Sequence, residues 1–111
     1  DKDDDYPDFA YAAARKVAED PTRHKAIVMC GSGVGVCITA NKVKGVYCAQ
    51  VWTKELAAGA RDHDKVNAIA FGARYVDEAE ALASIEEFLK PSTDTAERHV
   101  RRFEKVREIE K

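Results

Sequence analysis

The sequence predicts an α/β fold: a parallel sheet with helices on both faces. Three observations carry this. Apolar runs rich in strand formers alternate along the chain with segments of helical period. The strands read as near-continuous apolar runs, the pattern of strands buried on both sides. The first of them runs into an alternating-glycine loop that opens a helix. Strand–helix–strand units of this kind cross over right-handed.

Each element follows in order. Asp5 can cap a first helix, with Pro7 tolerated in its first turn. Tyr6, Phe9, Ala10, Ala13 and Val17 recur at helical spacing, and Asp20-Pro21-Thr22 stops the helix. Ala26-Ile27-Val28-Met29 is a short buried strand. The glycine loop leads into a helix over 36–42, which Gly45 ends. A second strand covers 46–51. Thr53 caps a helix continued by 55–61. Residues 67–71 form a third strand, closed by Gly72. A helix over 78–89 carries Ala79, Leu82, Ile85, Phe88 and Leu89 on one side, and Pro91 breaks it. Val100, Phe103, Val106 and Ile109, three apart, make the tail an amphipathic helix.

At 111 residues the chain is sized for one domain with a core, and too short for two. Apolar residues at 45% and charged residues at 34% fit an ordinary globular protein, not a disordered one. A net charge of −2 leaves no overall footprint for nucleic acid. Arg98, Arg101 and Arg102 form a local basic cluster that suits a small anion. The three cysteines show no metal-ligand spacing, and an odd count argues against a disulfide framework. That favours a reducing, cytoplasmic setting. No apolar run approaches the ~20 residues that span a bilayer. The opening Asp-Lys-Asp-Asp-Asp is unlike a signal peptide.

The loop Cys30-Gly31-Ser32-Gly33-Val34-Gly35 sits where a parallel sheet binds ligands, at a strand's carboxyl end. Its backbone N–H groups can face an anion at a helix N-terminus. The spacing matches neither a dinucleotide fingerprint nor a Walker loop. Alternating glycines are also read as a tight turn and nothing more. Cys30, beside several N–H donors, is placed to favour thiolate. The other reading is a buried, inert thiol. That second reading is the one adopted for Cys37, on a helix, and Cys48, in a strand.

The stretch from Cys30-Gly31-Ser32-Gly33-Val34-Gly35-Val36 through Ala40-Asn41-Lys42-Val43-Lys44-Gly45 resembles the loop and helix of type B ribose-5-phosphate isomerases. That family also includes galactose-6-phosphate isomerase subunits. Three further segments match in order: Asp5-Tyr6-Pro7-Asp8-Phe9-Ala10, then Ala60-Arg61-Asp62-His63 with Asn67 and Phe71-Gly72-Ala73-Arg74, then Arg98-His99-Val100-Arg101-Arg102. The resemblance covers nearly the whole chain. It implies a Rossmann-like three-layer sandwich and an aldose–ketose isomerisation of a sugar phosphate, ribose 5-phosphate to ribulose 5-phosphate, without metal or cofactor. It places the chain in carbohydrate metabolism, in the pentose phosphate pathway. It implies a homodimer or a dimer of dimers with shared active sites, and no nucleic-acid or membrane partner.

By the resemblance, Cys30 is the proton-transfer base. Some relatives use a carboxylate at the position of Val36, which valine cannot replace. Gly31, Gly33, Val34 and Gly35 would offer N–H groups to the enediolate oxygen, and Ser32 would relay a proton. His63 matches the ring-opening histidine; taken alone, it reads as a surface or helix-terminal residue. Arg98 and Arg102, four apart on one helix face, match phosphate ligands, where spacing alone leaves a solvated basic face open. Cys30 ends a strand, whereas His63 precedes one. In one subunit they should lie far apart, so a site using both needs a second subunit.

Three departures from the family pattern stand out. The family's N-terminal strand-helix-strand, with an aspartate in S-D-H-x-[GA], has no counterpart, so residues 1–111 are expected to be a single but N-terminally incomplete isomerase domain. The His-Asn pair reads His63-Asp64, where Asp64 is a candidate to orient His63 or a sugar hydroxyl. His-Asp after the second strand reads Trp52-Thr53. These leave two alternatives: an isomerase for another pentose or hexose phosphate, and a non-catalytic sugar-phosphate binder.

Overall fold

The computed structural model describes residues 5–111; all of the acidic opening except Asp5 lies outside the described residues. Eight elements follow in order among them: α1 (Tyr6–Glu19), β1 (Ala26–Cys30), α2 (Val34–Asn41), β2 (Cys48–Gln50), α3 (Lys54–Asp64), β3 (Ala68–Gly72), α4 (Glu78–Leu89) and α5 (Glu97–Glu110). None is long and apolar enough to cross a membrane.

The sheet has strand order β1-β3-β2, and both pairings are parallel. The last strand in sequence is therefore central, and all five of its residues are buried. Alternation along β3 builds the two sides of the core. Ile69 and Phe71 pack with Val51, Ala57, Ala60 and Phe88 under α3 and α4. Ala68 and Ala70 face the other way, toward Ala10, Ala14, Val17, Val36 and Ala40 of α1 and α2. The small side chains let those two helices sit close. This is the three-layer sandwich expected.

Several local expectations change. The second strand shrinks to three residues because the side chain of buried Asn67 takes over the pairing before it. Asn67 Oδ1 accepts the Tyr47 N–H at 2.8 Å, and its Nδ2 donates to the Gly45 carbonyl at 2.8 Å. The α2 helix begins two residues early, at Val34, because Gly33 acts as its cap. Thr53 caps α3 as expected, accepting from the Leu56 N–H at 3.1 Å. Asp5 holds the cap position of α1 without a side-chain hydrogen bond.

Two apolar faces remain open. β1 is an edge strand, and its Ile27 and Met29 are exposed although Ala26 and Val28 are buried. Leu82 and Leu89, expected on the inner face of α4, are also exposed. Met29, Leu82 and Ile85 line one crevice of about 330 Å³. On α5 the expected stripe is not buried: Val100, Val106 and Ile109 are exposed. The helix is held instead by Phe103, edge-on to Tyr47 at 5.1 Å, and by Glu110, which accepts the Gly45 N–H at 2.8 Å.

Phe88 is fully buried, whereas Leu82 is 56% exposed on the same helix. Phe88→Ala is expected to lower the unfolding free energy by about 3–5 kcal/mol in urea titrations. Leu82→Ala should change it by about 0.5 kcal/mol or less.

Candidate active site

At the carboxyl end of β1 the loop turns tightly into α2. Gly33 has φ +81°, the left-handed region that a side chain disfavours, and caps the helix. The loop lies directly on the end of β3, where a Cβ added to Gly72 would meet the Ser32 carbonyl oxygen at 2.3 Å. Gln50 at the end of β2 holds that carbonyl through Nε2 at 2.6 Å. Two ties to the β3 end complete it: the Ala73 N–H donates to the Cys30 carbonyl at 2.9 Å, and the Arg74 N–H to that of Gly31 at 3.1 Å.

The donors in this loop converge on sulfur. The Gly33 N–H donates to Cys30 Sγ at 3.2 Å. Partial burial opposes ionisation of Cys30, but N–H groups of Val36, Gly33 and Ser32, with the Ser32 hydroxyl, outweigh it and hold the thiol below its ordinary pKa. The Val34 N–H is spent on Ser32 Oγ at 3.2 Å. Gly33 and Val34 therefore aim inward in this structure, at the thiol and at Ser32, and not outward toward an incoming oxygen. Gly31 and Gly35 belong to the same turn. The guanidinium of Arg74 lies over Gly31, close enough that a Cβ there would come within 2.9 Å of it. Sequence reading passed over Arg74 and Gln50 as site residues. The sequence signal for Arg74 was its position just past the third strand.

Cys37 Sγ donates to the Cys48 carbonyl at 3.5 Å, and the neighbouring Cys48 holds its pKa down to about 7, against burial, while Cys48 is pushed up.

The remaining candidates lie elsewhere. His63 is in the last turn of α3, which precedes β3. Cys30 pairs with Gly72, the far end of that strand. Four strand steps, roughly 13 Å, separate the two levels of the sheet. His63 lines a cavity of about 570 Å³ with Asp62, Lys90, Pro91 and Thr93, and Cys30 is not among its walls. The carboxylate beside His63 is that of Asp62, with Oδ2 3.9 Å from Nε2, and not that of Asp64. Asp64 instead shares a smaller crevice with Arg102. Arg98 and Arg102 lie exposed on α5. Arg101 and Arg107 are paired with Glu97 and Glu104, whereas among the described residues no ion pair takes Arg98 or Arg102. Trp52, half exposed, follows β2 at the Cys30 end.

The candidates thus form two groups at opposite ends of the sheet. One is a thiol in a cradle of donors. The other comprises His63 in its own cavity and, on α5, Arg98 and Arg102, which no ion pair takes among the described residues.

With one thiol left, in a Cys37→Ala, Cys48→Ala background, Cys30 should react with iodoacetamide with a pH midpoint below that of the same cysteine in an unfolded peptide. Ser32→Ala removes a donor to the thiolate, so the midpoint should rise. Alkylation rates across pH check both.

The family model for the Ribose/Galactose Isomerase family matches residues 1–106. The probable ribose-5-phosphate isomerase B of Mycoplasma genitalium is 43% identical over 111 residues, which is 100% of this chain and 72% of the relative. Ribose-5-phosphate isomerase B of Mycobacterium tuberculosis is also 43% identical over 111 residues, covering 100% of this chain and 68% of the relative. The crystal structure of the M. genitalium enzyme with bound ribulose-5-phosphate superposes with a TM-score of 0.93, covering 99% of this chain and 72% of that one. Type B ribose 5-phosphate isomerase from Trypanosoma cruzi gives 0.90 at 40% identity, covering 96% of this chain and 71% of that one. The chain belongs to the ribose/galactose isomerase family of sugar-phosphate isomerases, in its type B ribose-5-phosphate isomerase group.

Proposed function

We propose that residues 1–111 form one sugar-phosphate isomerase domain that interconverts ribose 5-phosphate and ribulose 5-phosphate through a cis-enediol. The observation that carries the reading is the division of the candidates between the two ends of the sheet. A thiolate in a donor cradle is half of a proton-transfer site. His63 at the other end of the sheet, with the exposed Arg98 and Arg102 on the helix that follows there, is the other half. A symmetric pair of chains can join one half from each, twice over. The working unit is then a homodimer, or a dimer of dimers, with shared sites. Three free cysteines suit a reducing cytoplasm.

The chemistry follows from the groups. Arg98 and Arg102 take the phosphate, to which guanidinium is matched in shape and charge. His63 carries a proton from the anomeric hydroxyl to the ring oxygen and opens the furanose. The Cys30 thiolate removes the proton from C2. The C–H electron pair becomes the C1–C2 double bond, and the carbonyl pair moves to O1. Gly31 and Gly35 offer N–H groups to that oxygen; Val34 joins them as Ser32 turns to the sugar, and Gly33 as the sulfur takes up the C2 proton. Each such donor is worth about 3 kcal/mol. Ser32 relays the O2 proton toward O1. The thiol then returns its proton to C1, leaving the ketose carbonyl at C2. Asp64, near Arg102, is placed for a sugar hydroxyl.

Cys30→Ala should cut kcat by about 10²-fold or more while calorimetry still detects ribose 5-phosphate. Turnover that survives the change would remove Cys30 from the base role. A shared site also makes inactive variants complementary. In an equilibrated mixture of Cys30→Ala and His63→Ala chains, half the dimers are mixed, and each carries one intact site of two. Activity should return to about a quarter of the native rate. A mixture as inactive as its parts would refute the shared site.

A further inference from the structure

The isomerisation gives His63 a task but leaves Asp94 and His99, which gather against it, without one. The His63 and His99 rings stack, with centroids 4.5 Å apart and planes inclined by 27°. One carboxylate oxygen of Asp94 contacts His99 Nδ1, and the other accepts the Ala96 N–H at 2.9 Å. One nitrogen from each histidine and one oxygen of Asp94 lie within 4.8 Å of one another.

The cluster is held from behind. Asp62 Oδ1 accepts the N–H groups of Thr93 at 2.8 Å and Asp94 at 3.1 Å, which fixes the loop that carries Asp94. The Lys65 ammonium donates to the Asp94 carbonyl at 3.0 Å and to Ser92 Oγ at 2.6 Å. Asp94 and His99 are mostly buried, with side chains 12% and 19% exposed, while His63, 50% exposed, stands at the mouth. The free oxygen of Asp62, 3.9 Å from His63 Nε2, adds a second negative charge.

Two imidazoles and a carboxylate are the donor set of a three-ligand site for a borderline divalent ion. Zn²⁺ at its usual bond lengths of about 2.0–2.1 Å needs its ligand atoms about 3.4 Å apart. The cluster meets this by closing its widest gaps by up to about 1.4 Å and by opening the Asp94–His99 contact as the shared proton leaves, both within reach of side-chain rotation. Two carboxylates offset the ion's charge. Nitrogen donors select against Mg²⁺ and Ca²⁺, which take oxygen.

We propose that His63, Asp94 and His99 bind a first-row divalent cation of the Zn²⁺ class, and that the bound ion blocks turnover by occupying His63. The blocking half rests on the ring-opening role of His63; the binding half does not.

The test uses the full chain and Co²⁺ as a visible probe. Saturable d–d absorption should appear at one ion per chain, be displaced by Zn²⁺, and be absent with Mg²⁺. Asp94→Asn and His99→Gln should each weaken binding by about tenfold or more. Zn²⁺ should inhibit isomerisation, a chelator should restore it, and Asp94→Asn should tolerate about tenfold more Zn²⁺. A sulfur-to-cobalt charge-transfer band, with binding lost in Cys30→Ala and unchanged in both cluster variants, would place the ion on thiols and overturn the site. Failure to saturate would do the same. Site-specific binding with turnover untouched by Zn²⁺ would overturn the blocking half. Intact binding in a chain that turns over no sugar would support the ion site and defeat the isomerase reading instead.

Discussion

The parallel pairing of β1 with β3 sets Cys30 beside Gly72, and the Ser32 carbonyl then rests on that glycine with no room for a methyl group. The placement of the thiol follows from this contact. The loop cannot lift away without losing the Ala73 and Arg74 backbone bonds. It cannot slide without driving Ile69 and Phe71 out of the layer they share with Phe88, since a one-residue slip reverses every side chain of the strand. The sulfur is thereby fixed where successive N–H groups converge. Convergent dipoles in a partly dry setting favour the ionised form even though burial alone opposes it.

A second consequence of the same sheet is the separation of the candidate groups. Helices that return across a parallel sheet end near the strands' amino ends. His63 closes such a helix, and Asp94, His99, Arg98 and Arg102 follow the next one. The Cys30 loop opens at the carboxyl ends. No side-chain motion within one chain closes a gap of roughly 13 Å along the strand. Under the proposed shared site, symmetric association brings opposite ends to one place without changing the fold; Ile27, Met29, Val106 and Ile109 are exposed among the described residues.

Much of this architecture is legible in the residues. Apolar runs with glycine at their ends mark β1 and β3; β3 is buried on both faces, whereas β1 leaves Ile27 and Met29 exposed. Helix α4 is bounded as expected, since Asp77 can cap it and Pro91 cannot continue it. Prediction failed where a distant group intervened. The second strand is short because Asn67, twenty residues away, takes the Tyr47 N–H. The α5 stripe has apolar period, but among the described residues Phe103 packs against Tyr47 while Val100, Val106 and Ile109 stay exposed. The donor cradle and its effect on the thiol were foreseen, but not which N–H groups turn inward. Spacing indicates that N–H groups gather, whereas only φ at Gly33 sends one of them to sulfur.

By itself the sequence determined the layered α/β class, the thiol in its glycine loop, and the motifs that place the chain in its family. Those are properties of neighbours in the chain: period, turn chemistry and residue order. Tertiary structure alone decided that β3 is central, that the Cys30 loop rests on Gly72, that Asp62 and not Asp64 attends His63, and that Asp94 and His99 gather against it. Each of these depends on segments far apart in the chain being brought to one place by packing, and no local pattern encodes which of them will meet.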